Sequence, residues 1–286
     1  MTIDDLPYVS VNAPYLPNAQ RVTAEILRVL RQHHTPVVGF VNEERLTSGP
    51  ERDARIDLLK QWVKMGAILG NHTFSHPDFN QLTIAEFEDE IVKGDRVTMQ
   101  LMQSRRPYQF YFRHPMNHTG DTPEKKEAIE KFLAARGYKI TPHTIENSDF
   151  IFNVPYADAL HRKDPASAKR LRDAYLDFSI AATGFAETIS PQIFAREVPQ
   201  VLLIHANDIN AGALDELLTR FESRGYRFVT LDEVMNDAAY QTKDTWVGKT
   251  GPTWLFRWAR SQGLKISFAA DPDPPSWVMD LYNQRR

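Results

Sequence analysis

The stretch KMGAILGNHTFSHP, residues 64–77, shows the pattern that decides the fold. A helical segment ends at a glycine, a short apolar run follows, and His72 and His76 come directly after that run. The same order of helix, glycine and apolar run recurs in ARGYKI (135–140) and SRGYRF (223–228). Apolar strands that alternate with helices are typical of a parallel sheet covered by helices, so we expect an α/β fold.

Seven apolar runs are predicted as strands, and apolar periodicity together with capping residues predicts the helices between them. The predicted strands are 2–5, 36–41, 67–71, 109–112, 138–142, 201–205 and 226–231. The predicted helices are 21–33, 54–65, 84–102, 123–136, 165–183 and 214–224, with a Thr83–Glu86 capping box in front of the third. Seven such strands favour a barrel-like closure over a small open sheet.

The composition of the 286-residue chain excludes several classes of protein. The formal net charge is -3 and no basic footprint stands out, so we expect no nucleic-acid partner. No apolar run approaches the roughly eighteen residues that a membrane span needs. The chain has no cysteine, which excludes disulfide scaffolds, thiolate metal sites and a cysteine nucleophile.

The N-terminal sequence shows no signal peptide. The first strand has barely begun when Asp4 and Asp5 arrive. A natural chain would usually start earlier. We therefore expect a processed or truncated N terminus with an added methionine. On this basis we predict a periplasmic or extracellular protein whose signal peptide is absent from the sequence, with a cytoplasmic location as the alternative.

The pattern changes beyond Tyr240, and we predict a domain over 1–240 followed by a C-terminal extension over 241–286. The extension is rich in proline and carries four of the five tryptophans, namely Trp246, Trp254, Trp258 and Trp277. We expect it to pack over the barrel. A sugar-stacking surface formed by these tryptophans stays open as an alternative.

Polar residues follow most of the predicted strands at their C-terminal ends, where functional residues of parallel βα folds lie. They are Asp4–Asp5, Asn42–Glu44, Asn71–His72, Arg113–His114, Asp149 after the fifth strand, and His205. Because these ends meet at one rim, we expect several ionisable groups to converge there.

His72 and His76 are candidate metal ligands on this rim. Pro77 disfavours α conformation at His76, so at most one helical turn links the pair, and both imidazoles can still point at one ion. Two imidazoles and one carboxylate from the Asp4–Asp5 pair would leave open coordination positions. A divalent ion held there would acidify water and polarise a carbonyl, while the second carboxylate takes a proton. His205 is placed to protonate the departing group.

Five motifs in the same order make the chain resemble the polysaccharide deacetylases with a NodB homology domain, carbohydrate esterase family 4. The motifs are TIDDLP at 2–7 for TFDDGP, HTFSHP at 72–77 for H-[ST]-x-x-H-P, FRHP at 112–115 for R-x-P, NSDF at 147–150 for D-x-x-D-[WY], and LLIHAND at 202–208 for L-x-L-H. The resemblance covers about 1–235. It implies a distorted (β/α)7 barrel, which agrees with the number of predicted strands.

The resemblance also implies a role for each motif residue. Asp4 would be the general base, and Asp5, His72 and His76 would hold a divalent metal, zinc or cobalt. Arg113 would hold the base carboxylate in place and keep it ionised. His205 would be the general acid, oriented by Asp149, which would raise its pKa. The backbone N–H near Met116 would contact the oxyanion, and Leu203 would help to form the pocket for the acetyl methyl group.

The predicted function is a metal-dependent deacetylase that hydrolyses acetyl groups of an N-acetylated glycan, of chitin-oligomer or peptidoglycan type. The expected partner is therefore an acetylated oligo- or polysaccharide. Three alternatives stay open. They are an O-acetyl esterase acting on a xylan-like polymer, a non-haem iron oxygenase using His76, Asp78 and His205, and a catalytically silent glycan-binding protein.

Overall fold

A computed structural model describes residues 1–47 and 49–285. Its seven strands are β1 (Thr2–Leu6), β2 (Val38–Val41), β3 (Ile68–Asn71), β4 (Phe110–Phe112), β5 (Tyr138–Ile140), β6 (Ile145–Glu146) and β7 (Leu202–His205). They form one sheet in the order β5-β4-β3-β2-β1-β7-β6, with every pair parallel. β5 and β6 are the two edges of this curled sheet, so the predicted distorted (β/α)7 barrel is confirmed.

Eleven α-helices occur among the described residues. They are α1 (Tyr15–Gln32), α2 (Arg52–Met65), α3 (Ile84–Lys93), α4 (Arg96–Met102), α5 (Pro123–Ala135), α6 (Asp149–His161), α7 (Pro165–Phe194), α8 (Asp208–Ser223), α9 (Leu231–Met235), α10 (Trp254–Ser261) and α11 (Ser276–Asn283). The apolar faces of α1, α2 and α8 pack in the same core as strands β1 and β7. Within the described ranges, no helix is both long and apolar enough to span a membrane.

The seventh strand is not the one that the sequence predicts. Residues 226–230 lie outside the sheet without regular secondary structure, and α9 begins at Leu231. The side chains of Tyr226, Phe228 and Val229 are only half-buried, whereas a strand inside a parallel sheet is buried on both faces. The seventh strand is instead β6, which pairs Ile145 with Leu202. Two residues are too few to show any periodicity, so β6 could not be predicted.

Several helix boundaries also differ from the prediction. The helix expected over 84–102 is interrupted at Gly94, where a Cβ atom would lie 2.4 Å from the backbone carbon of Thr73. The Thr83–Glu86 capping box in front of α3 is confirmed. α7 runs on to Phe194, α8 starts already at Asp208, and α6 was not predicted.

The C-terminal segment packs against the barrel with two of its four tryptophans. Trp254 and Trp258 of α10 are buried, at 5% and 1% exposure, in the core that contains the barrel strands. Trp246 and Trp277 are half-buried, and the Arg170 guanidinium lies 4.0 Å from the Trp277 ring centroid. The domain boundary at residue 240 stays a prediction.

Candidate active site

Asp4 and Asp5 both face one site because β1 carries an extra residue at its end. Against β2, Ile3 pairs with Gly39 and Leu6 pairs with Val41, so three steps along β1 match two along β2. Asp5 takes a left-handed backbone conformation, with φ of 66°. A bulge of this kind re-aims side chains that would otherwise point to opposite faces of the sheet.

His72 directly follows β3, and its hydrogen bond and its burial keep the imidazole in the neutral form that binds a metal. Its Nδ1 lies 2.7 Å from the backbone oxygen of Arg113. A carbonyl oxygen only accepts, so Nδ1 carries the hydrogen and Nε2 offers its lone pair. Burial, together with the nearby His76, holds the pKa of His72 well below its usual value, which keeps the ring neutral.

The loop between the two histidines is not helical and is held by side-chain hydrogen bonds. Thr73 and His76 are both left-handed, with φ of 67° and 60°. The Thr73 hydroxyl accepts the His76 N–H at 3.2 Å, and Asn71 Oδ1 accepts the Thr73 N–H at 2.7 Å. The Glu90 carboxylate accepts from the backbone N–H of Ser75 at 2.7 Å and from its hydroxyl at 2.9 Å. These bonds fix His76 next to His72, with ring centroids 4.8 Å apart.

Asp5, His72 and His76 form a cluster that fits a divalent cation. Asp5 Oδ1 lies 3.7 Å from Nε2 of each histidine, and one ligand atom from each residue lies within 4.8 Å of the others. Asp5 Oδ1 is buried, and no described residue donates a hydrogen bond to it. Zinc bonds to nitrogen and oxygen are about 2.0–2.2 Å long, so atoms at these separations need little movement to share one ion.

Arg45 completes the surroundings of Asp5. Its Nη2 lies 3.2 Å from the second carboxylate oxygen, Asp5 Oδ2. Burial alone would raise the pKa of Asp5, but the charges of Arg45 and His76 hold that pKa below its usual range. Asp5 is therefore an ionised carboxylate, which is the form that binds a metal.

Asp4 differs from Asp5 in its proton affinity. Burial raises the pKa of Asp4 to about 6, and the positive charges of Arg113 and His205 only partly oppose it. Arg113 Nε lies 3.9 Å from Asp4 Oδ2, which is ion-pair range without a hydrogen bond. Arg113 Nη2 instead donates to the Thr2 hydroxyl at 2.9 Å. A carboxylate with this pKa is suited to accept a proton near neutral pH.

His205, at the end of β7, pairs with Asp4 across the sheet and is oriented by Asp149. His205 Nδ1–H donates to Asp149 Oδ1 at 2.7 Å, and the His205 backbone N–H donates to Asp149 Oδ2 at 2.7 Å. Asn207 and Asn210 also donate to Asp149 Oδ2. Burial would lower the pKa of His205, but Asp149 outweighs it and raises that pKa to about 10.

Met116 and Leu203, the two residues expected to contact the acetyl group, differ in their exposure to solvent. We call this part of the site its acyl side. Met116 is 43% exposed, in the turn Pro115–Asn117 that follows β4, and its φ is 53°. Leu203 is buried and lies two residues before His205 on β7, so both side chains leave the same face of the strand. Met116 is thus accessible at the rim, and Leu203 lies deeper.

Some residues around the site were missed by sequence reasoning. Arg45 follows β2 in a turn whose only sequence signal is its place after a strand. Asn207 lies in the HAND segment at 205–208 and Asn210 lies two residues beyond it, and no spacing in the sequence indicates that either contacts Asp149. Asp208 accepts from the Tyr8 hydroxyl at 2.6 Å, away from Asp149.

The carboxylate of Asp78, considered for an iron site, is engaged elsewhere. Asp78 Oδ1 lies 2.7 Å from His118 Nδ1 and accepts the Asn80 N–H at 2.9 Å. Among residues 1–47 and 49–285, Asp5, His72 and His76 are the one group of three or more metal-ligating side chains. The geometry therefore does not favour the oxygenase alternative.

Comparisons with known proteins bear on residues in and around this site. Residues 1–128, which include Asp4, Asp5, His72, His76 and Arg113, match the family model described as polysaccharide deacetylase. An uncharacterised 30.6 kDa protein of Geobacillus stearothermophilus is 27% identical over 222 residues, 77% of this chain and 68% of that protein. A chitooligosaccharide deacetylase of Bradyrhizobium sp. is 34% identical over 74 residues, 26% of this chain and 31% of the relative.

A peptidoglycan-N-acetylmuramic acid deacetylase of Bacillus subtilis is 23% identical over 215 residues, 74% of this chain and 66% of the relative. Among solved structures, a family 4 carbohydrate esterase pseudoenzyme from Bacillus anthracis superposes with a TM-score of 0.54. It is 16% identical, and the match covers 82% of this chain and 64% of that one. At this identity the likeness shows the fold alone. The family-model match over residues 1–128 and the shared fold confirm the resemblance to the polysaccharide deacetylases, carbohydrate esterase family 4, that the motifs indicate.

Proposed function

We propose that this chain is a metal-dependent hydrolase that releases acetate from the N-acetylated sugars of a glycan. The observation that carries the proposal is the Asp5–His72–His76 cluster, with the buried Asp5 Oδ1 facing both imidazoles. A proton acceptor, Asp4, and a proton donor, His205, flank the cluster. The curated relatives named as deacetylases support an acetylated glycan as the substrate.

The proton transfers of amide hydrolysis can be assigned to this chain's own residues. A divalent cation on Asp5, His72 and His76 would supply Lewis acidity that acidifies water and polarises the acetyl carbonyl. Asp4 accepts the proton that water loses as it attacks the carbonyl carbon. His205, protonated on account of its raised pKa, donates a proton to the amine nitrogen as the C–N bond breaks. The products are acetate and the free amino sugar.

Supporting residues orient these groups. Asp149 holds His205 by its Nδ1–H, so that the other ring nitrogen, Nε2, is the one available to the leaving group. Arg113 places a positive charge beside Asp4. We assign the backbone N–H of Met116 to the developing oxyanion and Leu203 to the acetyl methyl group, on the basis of the family resemblance.

We also propose which metal the site binds and which class of glycan is the substrate. A ligand set of two histidines and one carboxylate with open positions is typical of catalytic zinc, so we propose Zn²⁺, with Co²⁺ as a substitute. Relatives named for chitooligosaccharide and for peptidoglycan both support N-acetylated glycans. A periplasmic or extracellular location stays a prediction.

Acetate release tests the proposal directly. Chito-oligosaccharides, peptidoglycan and acetylxylan are offered to the protein with zinc, with a chelator, and after zinc or cobalt is added back. We expect release from an N-acetylated substrate, loss of release with chelator, and recovery with metal. Asp4→Asn should retain zinc and lose roughly 10²–10⁴-fold in kcat, since that is the usual contribution of a general base.

Other results of this assay would contradict the proposal. Release from acetylxylan alone would indicate an O-acetyl esterase. Tight glycan binding by the zinc-loaded protein, with no release from any substrate, would indicate a silent glycan-binding protein. Full activity of Asp4→Asn would show that the base is a different residue.

A further inference from the structure

Arg257 of α10 links the C-terminal segment to the loop that carries Met116. Its side chain is wholly buried, although it is charged. Nη2 donates to the Asn117 backbone oxygen at 2.6 Å, and Nη1 donates to the Thr119 hydroxyl at 3.0 Å. On the side of the C-terminal segment, Nη1 also donates to Asp244 Oδ2 at 3.0 Å, and Nε donates to the Pro252 oxygen at 2.9 Å.

The positive charge of the buried Arg257 side chain is stabilised by an aromatic ring and a carboxylate. Its guanidinium is 4.0 Å from the Trp254 ring centroid and bonded to the Asp244 carboxylate. Asp244 also pairs with Lys126 of α5 at 3.0 Å. A buried charge is strongly unfavourable unless it is paired and hydrogen-bonded, so these partners favour a single arrangement of the guanidinium.

The loop that Arg257 contacts has a backbone that needs support. Met116 and Asn117 are consecutive left-handed residues, with φ of 53° and 55°, and neither is glycine. Such conformations persist where the surroundings hold them, and they cluster at functional sites. The Gly248 N–H donates to the Gly120 oxygen at 3.3 Å, which adds a second contact from the C-terminal segment.

Gly251 lies against the backbone of Met116. A Cβ atom at position 251 would be 2.0 Å from the Met116 oxygen and 2.8 Å from Asn117 Cβ. The two backbones can approach this closely because position 251 has no side chain. The conformation of the Met116 loop is therefore set in part by residues 244–257, which lie outside the region that matches the family model.

We propose that residues 244–257 are a brace for the acyl side of the active site, with Arg257 as a positioning residue that acts through the backbone of Met116. The inference rests on the proposed deacetylase function. In this view the C-terminal segment contributes to turnover rather than only to stability. None of the hydrogen bonds, ion pairs or ring contacts of residues 244–257 involves Asp5, His72, His76 or His205, so variants in this segment should spare metal binding.

Gly251→Ala tests the brace, because the added methyl group must push the Met116 loop away. Gly184→Ala in α7 is the matched control, since a Cβ there meets nothing within 4 Å. We expect kcat for a chito-oligosaccharide to fall about 10-fold or more, as loss of one oxyanion donor costs about 10²–10³. KM and zinc content should stay close to those of the control, and the protein should remain folded with a modest fall in Tm, because the added methyl group strains the packing.

Thr119→Val is a gentler second variant that removes one acceptor of Arg257 and keeps the side-chain volume. We expect a smaller fall in kcat and faster amide hydrogen exchange over residues 115–119, which reports on the loop independently of activity. Arg257→Lys should also lower kcat and speed amide exchange over this loop, because a lysine ammonium cannot make the same set of hydrogen bonds as the guanidinium.

The outcomes separate this inference from the proposed function. If the wild-type protein releases no acetate, the proposed function fails and the inference fails with it. If the wild type is active but Gly251→Ala and Thr119→Val keep its kcat, the brace alone is refuted. Loss of zinc or of folding in both variants, in step with the loss of activity, would also refute it, since that result indicates a purely structural contact.

Discussion

The buried carboxylate of Asp149 controls both the orientation and the pKa of His205. Its two carboxylate oxygens accept from the ring and the backbone of His205 and from the amides of Asn207 and Asn210. These bonds fix the carboxylate, and its charge raises the pKa of His205 to about 10 against the effect of burial. His205 is therefore protonated at neutral pH, as a general acid must be.

Asp149→Asn should move the alkaline limb of the kcat–pH profile to lower pH. An amide has no negative charge, so the pKa of His205 falls and the protonated acid is lost earlier as pH rises. The measurement is kcat for acetate release from about pH 6 to above pH 10, so that the scan passes the wild-type pKa of His205 of about 10. Asp158→Asn on the same helix is the control, since Asp158 pairs with Arg285 instead. A profile equal to that of the wild type would contradict the role of Asp149.

At the residue level, the motifs predicted Arg113 and Asp149 as supporting residues but not Arg45, Asn207 or Asn210. The proximity of His72 and His76 to the Asp4–Asp5 pair could be predicted because strand ends converge at one rim of the fold, and the choice of Asp5 as the ligand came from the family resemblance. The ion pair between Arg45 and Asp5 could not, because it depends on the conformation of a turn and not on any spacing along the chain. The distance of 3.9 Å between Arg113 and Asp4 is likewise a matter of packing.

At the scale of elements, apolar runs predicted six of the seven strands. They did not predict the bulge in β1, because register is a relation between two strands and each strand alone shows only its own periodicity. The apolar run at 226–231 predicts a strand, but the side chains of Tyr226, Phe228 and Val229 are only half-buried. The burial of a segment depends on how the rest of the chain packs around it, so it cannot be predicted from the apolar pattern of that segment alone.

The helix break at Gly94 supports the loop that carries both histidines. Gly94 has φ of -81°, which alanine can adopt, so its only special feature is the 2.4 Å approach to Thr73. Gly94→Ala should displace the loop and weaken zinc binding by about 10-fold or more, as is typical when support of metal ligands is lost. Competition with a chelator of known affinity measures this effect. Zinc affinity equal to that of the Gly184→Ala control would contradict it.

At the scale of the whole molecule, the strand order explains why the site forms. β1 lies between β2 and β7, so Asp4 and Asp5 have His205 on one side and the β3 and β4 residues on the other. The barrel could be predicted from the alternation of strands and helices, whereas the predicted count of seven strands included 226–231 in place of β6. The position of the C-terminal segment could not, because nothing local in residues 241–286 indicates that Arg257 reaches the Met116 loop.

Metal binding should also stabilise the whole fold. A ligand that binds only the native state adds about 2.7 kcal/mol of unfolding free energy at a concentration about 100 times its Kd. The proposed metal cluster can therefore be tested through the Tm of the whole protein, measured with and without zinc. That measurement needs no knowledge of the natural glycan.

Zinc stoichiometry is therefore the most direct test of the central claim that Asp5, His72 and His76 bind one ion. Wild-type protein, Asp4→Asn and Asp5→Ala are loaded with zinc, separated from free metal and assayed by elemental analysis. The account predicts about one zinc per chain in the wild type and in Asp4→Asn, and close to none in Asp5→Ala. A wild type that holds no zinc, or a folded Asp5→Ala that holds as much as the wild type, would contradict it.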